Sequence, residues 1–181
     1  MKVHPTKLAD AVVIEPQVFG DERGFFLESW NNSSFKEVGL NLDFVQDNHS
    51  CSSSGVLRGL HYQLPNPQGK LVRVVRGAVY DVIVDLRRSS PSFGLHEAFE
   101  ISAANKRILW VPPGFAHGFL TLCDDTHFLY KCTAYYEPSS EHSLVWNDPD
   151  LAIDWPLSEG APDVSDKDRN GITFREAPHF E

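Results

Sequence analysis

The sequence predicts an all-β protein, an antiparallel sandwich or barrel with few helices. Three observations carry this. Short runs rich in Val, Ile, Phe, Tyr and Thr recur along most of the chain, turns rich in Gly, Pro and Asp divide them, and neither a βαβ alternation nor a repeat of solenoid length is present. About ten such strands at regular spacing make two packed sheets or a small closed barrel, whose mouth leaves room for one ligand.

Ala11 to Glu15 reads as the first strand, stopped by Pro16. Gly20 to Gly24 is a turn, and the aromatic run Phe25 to Trp30 follows as a strand. One short helix comes next, capped by Asn32 or Ser33, with Ser34 and Glu37 at capping-box spacing and Gly39 at its end. Phe44 to Ser50 and Gly55 to Tyr62 are strands around a Ser-rich turn. Leu71 to Val75 and Val79 to Leu86 flank Arg76-Gly77-Ala78, which predicts a hairpin. In the second of these strands Val82, Val84 and Leu86 share a core face, while Asp81, Ile83 and Asp85 share a face directed at a partly polar cavity. Strands at Leu95 to Ile101, Ile108 to Val111, Gly118 to Leu122 and Thr126 to Tyr136 complete the set. The chain reads as one domain over residues 1–181, with a barrel core over roughly 40–150 and a short helix and tail in 151–181 lying across it.

A net charge of -9 argues against a nucleic-acid binder, which needs a basic face to displace counterions. It leaves room for one small phosphorylated ligand, because a few cations dominate the field inside a cleft. Three cysteines, Cys51, Cys123 and Cys132, form no CxxC pair, which suits a reducing cytoplasm rather than a disulfide framework. The apolar run Ala11 to Ile14 is too short for a membrane span, so no membrane partner is expected.

Chemistry concentrates in three stretches. Arg58 to Lys70 places His61, an imidazole, between two cations at a strand end and tight loop. A histidine there suits a general base, the lysine an oxyanion stabiliser beside a ketone, and the arginine a phosphate ligand. The bland reading of the same stretch is a surface or core histidine. Val111 to Phe119 contains the P-x-G-x-x-H pattern of cupin barrels, which delivers His117 facing inward. The upstream H-x-H pair of metal cupins is missing, since that segment reads His61-Tyr62-Gln63, so no catalytic metal is expected. His117 then holds a phosphate, tunes the pocket by hydrogen bonding, or serves only the turn. In Thr126 to Cys132, alternation puts Phe128, Tyr130 and Cys132 on one face. If that face is interior, Tyr130 projects a phenol into the barrel, as a proton donor or as a core tyrosine bonded to backbone.

Gly20 to Glu28, Phe44 to Ser50, Gly55 to Gln63, Gly69 to Arg73, Val111 to Phe119, Phe128 to Lys131 and Trp146 to Pro149 resemble, in order, the dTDP-4-dehydrorhamnose 3,5-epimerase family. The resemblance spans roughly Ile14 to Asp168. It implies a metal-independent cupin jelly roll, a homodimer without cofactor, inverting C3 and C5 of a dTDP-4-keto-6-deoxyhexose. On that pattern His61 is the base and Tyr130 the acid on the opposite face, while Lys70 stabilises the enolate. The family's S-x-K-D pattern falls on Ser165 to Asp168 and selects Asp168, over Asp166, as the partner of His61. Arg23, Glu28, Gln46, Asn48, Arg58, His117, Glu141 and Lys167 match nucleotide-sugar positions, and Tyr136 is the platform for thymine. Rival readings are a mono-epimerase acting at C3 or C5 alone, a sugar-nucleotide-binding cupin without turnover, and a metal cupin oxygenase.

Overall fold

Among residues 1–158 and 160–181, which the computed structural model describes, the chain forms thirteen strands, two short α-helices and one 3-10 turn. The β-branched and aromatic runs lie in strands β1 (Lys2–Pro5), β2 (Val12–Glu15), β3 (Val18–Asp21), β4 (Gly24–Leu27), β5 (Gln46–Ser52), β6 (Leu57–Gln63) and β7 (Lys70–Arg76). They continue in β8 (Ala78–Asp85), β9 (His96–Ser102), β10 (Ile108–Val111), β11 (Phe115–Thr121), β12 (Thr126–Cys132) and β13 (Glu141–Ser143). Helix α1 is Asn32–Glu37 and helix α2 is Asp166–Arg169.

Two large sheets face each other, with strand orders β1-β2-β10-β7-β12-β5 and β13-β6-β11-β8-β9, and β3 and β4 pair on their own. Every pairing between these strands is antiparallel, as the jelly-roll expectation requires. Alternation along the strands fills the space between the sheets. Val72, Val74 and Phe128 from one sheet meet Val79, Ile83, Phe115 and Phe119 from the other. Each such side chain contributes roughly 1.5–3 kcal/mol by leaving water.

The five-stranded sheet is buried on both faces. Val82, Val84 and Leu86 form the expected core face, covered by Leu151, Trp155, Val164 and Ala177 from the end of the chain. Asp163 ties that cover down, its carbonyl accepting from Leu57 N at 2.9 Å. Asp81 and Ile83 point into the space between the sheets and are fully buried. On the other sheet, Phe35 of α1 and Leu42 cover Ile14, Leu71, Ile108 and Trp110.

Several expectations are corrected. β7 and β8 do not pair as a hairpin, because they belong to different sheets. Gly77, at φ +76° with Thr126 packed against it, turns the chain from one sheet to the other. The last long strand ends at Cys132 rather than Tyr136: the Gly69 N–H goes to the Thr133 side chain at 2.8 Å instead of a backbone carbonyl, and Pro138 opens the 3-10 turn. The cap of α1 is Asn31, whose side chain accepts from Ser33 N and Ser34 N, and Glu37 plays no capping part. The turn near residue 22 is shorter than Gly20 to Gly24, because β3 and β4 run into it from both sides. That hairpin leaves Phe19, Phe25 and Phe26 62%, 63% and 69% exposed.

Candidate active site

β6 and β11 lie side by side, with His61 directly opposite His117 in the ladder. Their close approach requires Gly59, at φ +110°, where a Cβ would stand 2.7 Å from Gly118 Cα and from His117 O. These strands of one sheet and β5, β7 and β12 of the other enclose a cleft of about 590 Å³. Its lining includes Asn48, Arg58, His61, Lys70, His117, Tyr130, Lys167 and Asp168, a volume suited to a drug-sized ligand.

His61 Nε2 lies 2.6 Å from Asp168 Oδ1, and Gly59 N donates to Asp168 Oδ2 at 3.3 Å. Donation through Nε2 leaves the Nδ1 lone pair as the basic site of a neutral ring. Asp168 sits in the single turn of α2, whose N-cap Ser165 accepts from Asp168 N at 3.2 Å. Burial raises the Asp168 carboxyl, but the hydrogen bond from His61, its charge and the Gly59 N–H outweigh this and hold it below the usual range.

Lys70 opens β7 and is 9% exposed. Burial lowers its pKa against the opposing pull of Cys132, Asp81 and Glu141, and among the described residues it has no ion-pair partner. Its ammonium stands 5.9 Å from the centre of the Tyr130 ring. Burial pushes the Tyr130 phenol up to about 12, so it is a proton donor at any working pH. His61 and Tyr130 therefore enter one cleft from facing sheets, and Lys70 lies on the tyrosine side.

Sequence reasoning missed Asp81 as the partner of His117. His117 Nε2 contacts the two carboxylate oxygens at 2.9 and 3.0 Å, with both residues buried. Burial raises Asp81 and lowers His117, so the interior disfavours the separated charges. The polar face noted on the 79–86 stretch was the available signal. His117 is thus hydrogen-bonded to Asp81 and also lines the cleft.

Gln46, Tyr136 and Glu141 lie outside this lining but are bonded to it as a connected set. Gln46 Nε2 donates to Asn48 at 3.1 Å, and Gln46 Oε1 accepts from Tyr136 N at 2.8 Å. Tyr136 OH donates to Glu141 at 2.9 Å, and Lys167 Nζ pairs with the other Glu141 oxygen at 2.9 Å. Arg58 donates from Nε and Nη2 to Ser52 Oγ. Arg23 and Glu28 are not brought to this cleft: Arg23 pairs with Asp21 on the exposed hairpin, and Glu28 accepts from Asn31 and Ser34 beside α1.

The model for the family described as dTDP-4-dehydrorhamnose 3,5-epimerase matches residues 5–176. The chain belongs to this family. It is 54% identical to the dTDP-4-dehydrorhamnose 3,5-epimerase of Pseudomonas aeruginosa, with 99% of each chain covered. The Legionella pneumophila dTDP-6-deoxy-D-glucose-3,5-epimerase, solved with dTDP-4-keto-L-rhamnose, superposes at a TM-score of 0.94 with 48% identity, covering 98% of this chain and 94% of that one. A 3'-monoepimerase from Streptomyces bikiniensis, solved with dTDP-quinovose, gives 0.89 and 37% identity over 95% and 87%.

Proposed function

We infer that the protein is a dTDP-4-dehydrorhamnose 3,5-epimerase, acting on a dTDP-linked 4-keto-6-deoxyhexose, and we assign its residues the following roles. His61 Nδ1 takes the proton from the carbon beside the C4 ketone, with Asp168 orienting the ring and steadying its positive charge. The electron pair moves onto the ketone oxygen, and the Lys70 ammonium stabilises that enolate. Tyr130 returns a proton to the other face of the same carbon, which inverts it. The sequence then repeats at the second carbon flanking the ketone, after His61 loses its proton to solvent and Tyr130 regains one.

The observation that carries this reading is the entry of His61 and Tyr130 into one cleft from facing sheets, on a chain of this family. Arg58, Asn48, His117 and Lys167 line the same cleft and are assigned to the diphosphate and sugar. Gln46, Tyr136 and Glu141 form the set bonded to that lining and are assigned to the nucleoside, with Tyr136, half exposed, as the thymine platform.

We further propose that the chain is a homodimer working in the cytoplasm. The aromatic hairpin β3–β4 supports the dimer, because three largely exposed phenylalanines between positions 19 and 26 need a cover. Arg23 and Glu28, which stand off this chain's cleft, would then serve a second copy.

The test is turnover of dTDP-4-keto-6-deoxy-D-glucose in deuterated water, read by NMR at each carbon. Deuterium with inversion at C3 and C5 is expected. Label at C3 alone would make the protein a mono-epimerase like the Streptomyces relative, and label at neither would make it a binding protein.

A further inference from the structure

On the six-stranded sheet four metal-ligating side chains converge where β5 meets the start of β12, and of these only His49 borders the cleft. Cys51 and His127 are direct partners across the ladder, and His49 is two residues before Cys51 on the same face. Asp125, in the turn leading into β12 at φ +53°, closes the group. We propose that Cys51, Asp125 and His127 form a surface site for a zinc-class divalent cation, with His49 orienting His127.

The distances support a ligand set. A tetrahedral zinc ion with bonds of about 2.0–2.3 Å holds its ligand atoms about 3.3–3.8 Å apart. Asp125 Oδ1 lies 3.2 Å from His127 Nε2 and 3.3 Å from Cys51 Sγ, and all three ligand atoms lie within 4.8 Å of one another. The other carboxylate oxygen, Oδ2, is held by Arg76 at 2.8 Å, which aims Oδ1 at the cluster. His49 Nε2 meets His127 Nδ1 at 2.9 Å, so His127 can donate from Nδ1 and present its Nε2 lone pair to the cation. A thiolate with one imidazole and one carboxylate favours zinc over calcium or magnesium, which prefer oxygen.

On binding, the Cys51 thiol proton, shared with Asp125 in the free protein, passes to solvent as the sulfur–metal bond forms. Arg76 neutralises part of the carboxylate charge, and the thiolate restores it. Water completes the coordination shell on the exposed side. The clip would join β5, an edge strand paired only with β12, to the turn that leads into that partner. This departs from the expectation of no metal drawn from the missing H-x-H pair, because these ligands come together only through strand pairing.

Full-length protein stripped with a chelator is titrated with Zn²⁺ against a chromophoric competitor, and its Co²⁺ complex is read optically. One equivalent per chain is expected, with proton release and a thiolate-to-cobalt charge-transfer band. Cys51→Ser should abolish the band, and Cys51→Ser and His127→Ala should each weaken zinc binding at least tenfold. Both residues are on the surface, so the folded state, checked by circular dichroism, is retained. Absence of stoichiometric uptake overturns the proposal, as does uptake unchanged in both variants, which would place the cation elsewhere.

Discussion

In the proposed reaction a single proton on His61 decides what the cleft can do, and the contact with Asp168 decides where that proton sits. Because Nε2 is committed to Asp168 at 2.6 Å, Nδ1 is the atom left to work as base. Tyr130→Phe removes the acid while leaving this pair intact. We expect it to lower kcat by about 10²–10⁴-fold with little change in dTDP affinity, as measured by steady-state kinetics and calorimetry. Lys70 gives a pH signature. Its pKa lies below 10.5, and its protonated form is the useful one, so kcat/KM should fall as pH rises through a value below 10.5. Tyr130, pushed up to about 12, titrates too late to produce that limb. A profile flat to pH 10.5 would remove Lys70 from its role. That His61, Lys70 and Tyr130 come to one cleft was legible in the sequence because each lies in an uninterrupted motif. Asp81 was legible only as a polar face, because its partner His117 lies 36 residues away and is brought to it by strand pairing.

At the level of elements, β6 and β11 form the back wall of the site, and their spacing is set by glycines. A methyl at Gly59 would meet Gly118 Cα and His117 O at 2.7 Å, in a left-handed backbone that L side chains rarely adopt. Gly59→Ala should therefore cost about 2–5 kcal/mol, the sum of left-handed strain and overpacking, seen as a lower urea midpoint. Activity should fall with it, because the Gly59 N–H also holds Asp168. Most strand positions followed from composition, though not the short β1, β3 and β13, and the partner of each strand did not. Arg76-Gly77-Ala78 has the chemistry of a tight hairpin, but whether a glycine turn pairs its flanking strands or sends one to the other sheet depends on what packs there. Thr126, 49 residues later, occupies that place. The short β3 was missed for a related reason: none of its four residues is buried, so it carries no inside-outside alternation to read.

The whole molecule is a frame that sets one sheet against another, with the end of the chain sealing the outer side of the first and supplying Asp168 to its inner side. The exposed hairpin makes a prediction at this scale. Phenylalanines bury about 150–250 Å² each in contacts, so replacing Phe19, Phe25 and Phe26 together by Ser should dissociate the proposed dimer in sedimentation equilibrium. Activity should drop without loss of the β spectrum; a triple variant still dimeric and active would assign the hairpin another part. The central claim, that one imidazole on one sheet opens the reaction at both carbons of the sugar, is tested most directly by His61→Asn in deuterated water with the ketosugar substrate. NMR should find no deuterium at C3 and none at C5 above the uncatalysed rate. Label entering either carbon at a near-native rate would contradict it.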